Sequence, residues 1–308
     1  MKTTTKIAIT LVALATVASA SSPVTAYAPT AFVQRTARFA EIADYAYCDG
    51  GNDPIDIGDV RFNRESEWDF EEVVRGYHAT VGSTHHVLLN FCGTRTDSAQ
   101  GVGDVLRDIQ GFAFSAKAHN AWLGTSTNYG VGAGFQARAR NYMESQNGKL
   151  RTFLDNRHDT NHKTVIHTVG HSLGGATSQL VSYYMSQYLA DKDYRPAKFD
   201  IFNFAYNSPQ SVGADFQAAF SEEARSGFFT PYSFLVKRDP VSTWATSYMN
   251  PIATGDLATT FDANVDKPAQ LDNHLLSPDY IARLGSIGNW QGNAAATMAS
   301  KYLPGCRL

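Results

Sequence analysis

His167-Thr-Val-Gly-His-Ser-Leu-Gly-Gly175 sets a serine between glycines, in a G-x-S-x-G pattern made by Gly170, Ser172 and Gly174. The residues before it, Thr164 to Val169, are β-branched and apolar and end at a glycine, which predicts a buried strand. After it, Leu173, Ala176, Leu180, Tyr184 and Tyr188 recur at helical spacing. A serine on so tight a strand-to-helix turn projects its hydroxyl above the sheet, and small residues two positions either side let the two backbones pass. A bare G-x-S-x-G arises by accident in roughly one chain in ten of this length. Strand, helix and double glycine together separate this stretch from such accidents and identify a nucleophile elbow.

Working outward, the rest of the chain predicts alternating strands and helices. Residues 31–48 form helix-prone sequence with an apolar face, and 50–64 is polar and turn-rich. Val73 to Val81 and His86 to Gly93 predict successive strands joined at Gly82-Ser83. Thr94 to Ile109 predicts a loop with one helical turn. Gly134 to Leu154 predicts a helix interrupted at Asn147-Gly148. Phe199 to Tyr206 and Pro231 to Lys237 are further apolar runs, with a helical stretch from Asp215 to Arg225 between them. The expected architecture is a single α/β domain, residues 21–308 with a core over about 31–306, whose sheet is largely parallel after a first hairpin.

The 308 residues carry a net charge of −3 and no run of Lys or Arg, which gives no electrostatic case for nucleic acid or a membrane-surface patch. Lys2 and Lys6, an apolar stretch from Ile7 to Ala18 and Ala18-Ser-Ala20 together predict a signal peptide cut after residue 20. That stretch is too short to anchor in a bilayer, and no later one reaches about 18 apolar residues, so an exported, unanchored protein is expected. Export permits disulfides. Of the three cysteines, Cys48 is paired with Cys306, and Cys92, inside an apolar strand, is read as a small core hydrophobe. In the chain-entropy model so long a link stabilises by up to roughly 5 kcal/mol. There is no N-x-S/T sequon.

A serine hydroxyl needs a histidine to take its proton and a carboxylate to orient that histidine. In α/β-hydrolase order the acid and then the histidine follow the serine. Of nine histidines only His274 lies after Ser172, so elimination makes it the base. Asp239 follows the apolar run Phe234 to Lys237 and precedes Pro240, at the carboxyl end of a strand, the edge where such sheets bind ligands. Asp256, Asp262, Asp266 and Asp272, in loop-like sequence, are its competitors, and Asp200 stands at the wrong end of a strand. Leu173, next after the serine, and Thr94, just past an early strand, are the expected oxyanion donors. His171 is read as packing support pointing away from the serine. His158 and His162, at i, i+4, lack a third ligand and are read as structural. Tyr183, Tyr184, Tyr188, Phe202 and Phe204 are read as core.

Gly93-Thr94 after an apolar strand, Gly170-His-Ser-Leu-Gly-Gly175, Asp239-Pro-Val241 and the late His274 resemble the class 3 lipases of filamentous fungi. Gly134-Phe135, Pro209-Gln-Ser-Val-Gly213 before Phe216, and Tyr47-Cys48 with Cys306 extend the likeness over nearly all of the mature chain. The resemblance implies an α/β-hydrolase fold, esterase action on acylglycerols without metal or cofactor, a mobile lid after the first oxyanion residue, and the Cys48–Cys306 bridge. It also implies Ser172 as nucleophile, His274 as base, Asp239 as its orienter, and Thr94 and Leu173 as oxyanion donors. The family usually has arginine where Cys92 stands, histidine at Gly132 and a lid tryptophan at Val105, and its segment corresponding to Thr94–Asp108 is shorter. A lid containing Gly and Ala buries less apolar surface than an aromatic one, so interfacial activation does not follow from the triad. The expected partner is an acylglycerol or other ester, with an oil–water interface as the setting. Alternatives are a feruloyl esterase or phospholipase on the same scaffold, or a secreted interaction protein with a silent site, in which a fluorophosphonate would leave Ser172 unlabelled.

Overall fold

The computed structural model describes residues 29–45, 54–71, 73–93, 115–146, 148–158, 161–194, 198–225, 229–237, 239–242, 258–261, 274–290 and 294–302. Thr94, Val105, the proposed signal peptide, Cys48, Cys306 and the four competing aspartates lie outside these residues.

An eight-stranded sheet runs in the order β1 (Ile55–Ile57), β2 (Val60–Arg64), β3 (Val74–Val81), β4 (Thr84–Phe91), β7 (Lys163–His171), β8 (Phe199–Tyr206), β9 (Phe229–Val236), β10 (Ala258–Phe261). The first four strands are antiparallel to their neighbours, and from β4 onward every pairing is parallel. Gly170 of β7 pairs with Phe91 of β4 on one side and Ala205 of β8 on the other. The carboxyl ends of the three central strands therefore meet at the elbow. A separate hairpin is made by β5 (Ser115–Asn120) and β6 (Thr125–Gly132).

Helices cover both faces, and the alternation along each strand sorts the side chains between them. On one face α2 (Ala133–Ser145), α3 (Leu150–His158), α4 (Leu173–Asp191) and α5 (Ala214–Glu223) pack with Leu89, Phe91, Ile166 and Ile201. On the other, α1 (Pro29–Tyr45), α6 (Pro278–Leu284) and α7 (Ala294–Lys301) pack with Leu88, Val165, Phe202, Phe204 and Tyr232. The helix α4 is buried on all sides, as expected when a helix sits between a sheet and an outer layer. Polar residues within it are partnered: Ser178 donates to the Gly175 carbonyl (2.8 Å), and the Asn203 amide from β8 donates to Ser178 and to Thr168 (2.9 Å each).

Two expectations needed correction. Residues 50–64 hold two short strands rather than turn alone, with Ile55, Ile57 and Phe62 alternating onto the sheet and Gly58 at φ 60° turning the chain between them. Cys92 lies one residue past β4 rather than inside it; its thiol is buried, and that burial pushes its pKa up, so it behaves as the small hydrophobe expected. The helix expected over Gly134 to Leu154 is two, α2 ending at Ser145 and α3 starting at Leu150.

Candidate active site

The sheet delivers Ser172 to its edge in a strained conformation. Its φ of 55° and ψ of −128° lie where a residue with a Cβ seldom goes, at the cap of α4. The flanking glycines are there for space. A Cβ on Gly174 would sit 2.1 Å from the Phe91 carbonyl oxygen, and one on Gly170 would sit 2.3 Å from the Gly174 carbonyl oxygen. The Ser172 N–H donates to the Tyr206 carbonyl at 2.9 Å, which fixes the turn against the end of β8.

Two distant segments converge on this serine. The His274 ring brings Nε2 to 2.7 Å from Ser172 Oγ, and its Nδ1 lies 3.1 Å from both carboxylate oxygens of Asp239. Asp239 is completely buried and also accepts the Val241 N–H (2.8 Å) and the Ser242 N–H (3.3 Å). Those donors hold the carboxylate plane, and a carboxylate accepting at Nδ1 puts the imidazole proton there and leaves Nε2 free to accept from the serine. An imidazole so placed can take a hydroxyl proton without rotating.

His171 does more than pack. Its Nε2 donates to the His274 carbonyl at 2.6 Å, with the two rings 4.7 Å apart. Burial, then the neighbouring imidazole of His274, hold the pKa of His171 well below the usual histidine range, so it donates as a neutral ring. Asn207, absent from the sequence reading, donates to the same carbonyl at 3.0 Å. An Asn-Ser-Pro turn after an apolar strand marks a bend, but nothing in it names a partner 67 residues away.

Of the two expected oxyanion donors, Leu173 is the first residue of α4, where helix N–H groups have no partner within the helix and the helix dipole favours negative charge. Thr94 lies outside the described residues. The chain leading to it is anchored: Cys92 N–H donates to the Val73 carbonyl (2.8 Å), and Arg138 of α2 donates to the Cys92 carbonyl (2.6 Å).

Other candidates sort away from this edge. Asp200 is in an ion pair with Lys163, whose residue opens β7 at the end opposite the elbow. The His162 ring lies 5.0 Å from that of His85, the His158 side chain is outside the described residues, and no cluster of three or more metal-ligating side chains exists among the described residues. Tyr183, Tyr184, Tyr188, Phe202 and Phe204 are all buried. No described helix is long and apolar enough to cross a membrane.

A search of the curated proteins finds no match. Among solved structures, a Yarrowia lipolytica lipase is similar with 20% identity and a TM-score of 0.51, over 79% of this chain and 82% of that one. A triacylglycerol lipase of Penicillium expansum is similar with 15% identity and a TM-score of 0.51, over 75% and 79%. At these identities the likeness is one of fold. The sequence itself matches the family Lipase (class 3) over residues 90–249, more than half of its length, a span that includes Ser172 and Asp239 and stops short of His274. The chain belongs to the class 3 lipases and is, with them, a carboxylic ester hydrolase.

Proposed function

We propose that this is a secreted serine lipase that cleaves acylglycerols, with Ser172 as nucleophile, His274 as general base and acid, and Asp239 as the group that orients it. The observation that carries the reading is the unbroken line from Asp239 through the His274 ring to Ser172 Oγ. Ser172 Oγ attacks the ester carbonyl carbon while Nε2 of His274 takes the hydroxyl proton. The oxyanion that forms is held by the N–H groups of Leu173 and Thr94, the first aided by the N-terminal end of α4. The imidazolium passes its proton to the leaving alcohol oxygen as the tetrahedral intermediate collapses to an acyl-enzyme. Water then attacks the acyl carbonyl with His274 again taking the proton; as this second intermediate collapses, the bond to Ser172 Oγ breaks, His274 returns the proton to that oxygen, and the free fatty acid leaves. No step requires a metal or cofactor.

Export through the segment ending at Ala20 and a Cys48–Cys306 bridge belong to the same reading, supported by the sequence patterns given above. Acid release from emulsified triglyceride and from soluble short-chain esters, measured for the wild type and for Ser172→Ala, tests it. Hydrolysis of the emulsion that vanishes in the variant supports the proposal. Cleavage confined to aryl esters or phospholipids would redirect it to the esterase or phospholipase alternatives.

A further inference from the structure

We propose that Asn207 is a positioning residue for His274: its side-chain amide registers the base and the carboxylate against the nucleophile, a role that rests on the triad assignment above. Asn207 follows β8 directly, is fully buried, and takes a φ of 45°. Glycine would adopt that conformation at lower cost, and asparagine is among the few other residues that tolerate it. What the asparagine adds is its amide. Nδ2 donates to the His274 carbonyl at 3.0 Å, and Oδ1 accepts the Val236 N–H at 3.0 Å. Both partners have a fixed role, one only accepting and the other only donating, so the network itself orients the amide.

These bonds connect the whole site. The Val236 carbonyl accepts the Asp239 N–H at 3.2 Å, so one residue joins the Asn207 amide to the carboxylate. The Asn207 N–H donates to the Phe234 carbonyl at 2.8 Å, pinning β8 to β9 at the point where both end. The preceding residue, Tyr206, accepts the Ser172 N–H. Nucleophile, base and acid are thereby tied to two consecutive residues at the end of β8. His171 grips the same His274 carbonyl from the elbow side, which leaves that peptide little freedom to swing. The triad bonds fix the imidazole at its tip, whereas the Asn207 and His171 bonds fix the backbone from which it hangs.

The test uses the full mature chain. Asn207→Gly removes the amide while relieving the backbone strain, and Asn207→Asp keeps an acceptor for Val236 but offers no N–H to His274 when ionised. Both are assayed on a soluble short-chain ester, with Ser172→Ala alongside and the active fraction titrated by a fluorophosphonate. Positioning predicts that kcat per titrated site falls roughly ten- to hundredfold in both variants, as for a reacting group displaced by about 1 Å. KM should stay within about twofold, since binding is not what the amide serves. The low-field proton NMR signal of the His274 Nδ1–H should also shift or broaden in the folded variants. Unchanged kcat per titrated site in either variant overturns the proposal, as does an activity loss accounted for by a smaller folded fraction alone. If Ser172→Ala retains the wild-type rate, the triad assignment itself fails, an outcome read independently of residue 207.

Discussion

Acid should destabilise this fold through two histidines that take no part in the chemistry. His86 of β4 and His167 of β7 stack face to face, 5.8 Å apart at 16°, on the sheet face covered by α1. His167 continues the stack onto Phe202 at 6.0 Å and packs against Phe39 at 5.4 Å, while His86 meets the edge of Phe62 at 6.4 Å. Both rings serve as flat aromatic surface, and charge on either is penalised. Burial, then Arg35 and His85, lower the pKa of His86 from 6.5 to about 4. Burial, then His86 and Arg35, lower that of His167 well below 6.5. The unfolded chain therefore binds protons near pH 6.5 that the folded chain refuses until about pH 4, so stability is intact above pH 6.5 and falls as pH drops through that window. At about 1.36 kcal/mol per pH decade, His86 alone removes about 3 kcal/mol by pH 4, and His167 adds in the same direction. Against a total stability of about 5–15 kcal/mol for a folded domain, that is a large share. The assay is urea unfolding at a series of pH values from 7.5 to 4 for the wild type and the His86→Phe/His167→Phe double variant. Phenyl rings shift the absolute stability, so the slope with pH is the quantity to compare. The shifted groups His171, Asp200 and Glu223 are present in both proteins and cancel. The double variant should lose at least about 3 kcal/mol less than the wild type over the window; equal slopes would refute the reasoning.

Three further outcomes are expected. Gly174→Ala drives a methyl group into the Phe91 and Cys92 backbone and should cost about 1–3 kcal/mol in thermal unfolding along with loss of fluorophosphonate labelling; a wild-type melt with full labelling would mean the elbow has slack. Asp239→Asn should lower kcat by about 10⁴-fold, because an amide at Nδ1 no longer enforces the tautomer that leaves Nε2 free, and stopped-flow ester hydrolysis reads this directly. Trp122 donates to the Met143 carbonyl at 2.5 Å and packs edge-on against Tyr188 at 5.3 Å, so Trp122→Ala should destabilise by about 3–5 kcal/mol in denaturant melts and loosen the β5–β6 hairpin.

The elbow and the central strands were legible because each rests on a local rule. A strand, turn and helix around Ser172 have to satisfy packing within a few residues, and Phe199–Tyr206 matches its strand to the residue. Chain order and elimination single out His274, and a place after an apolar run singles out Asp239; the fold brings both side chains to Ser172. What escaped the sequence depends on long-range partners. Asn207 is defined by a carbonyl in another segment, and the support of Cys92 by Arg138 crosses from a helix to a strand end. His86 and His167 look polar in sequence, yet the stack of rings around them makes them core. The strands at Ile55 and Val60 are three and five residues long, too short for alternation to outweigh their glycine and aspartate neighbours.

The central claim is that Ser172 carries the acyl group. Mass spectrometry of the protein quenched during turnover of a slow ester measures this directly, locating the added acyl mass after digestion. The account predicts one acyl group per active chain, on the peptide containing Ser172, absent from Ser172→Ala together with its hydrolytic activity. An acyl group on another residue, or undiminished hydrolysis by Ser172→Ala, would contradict it.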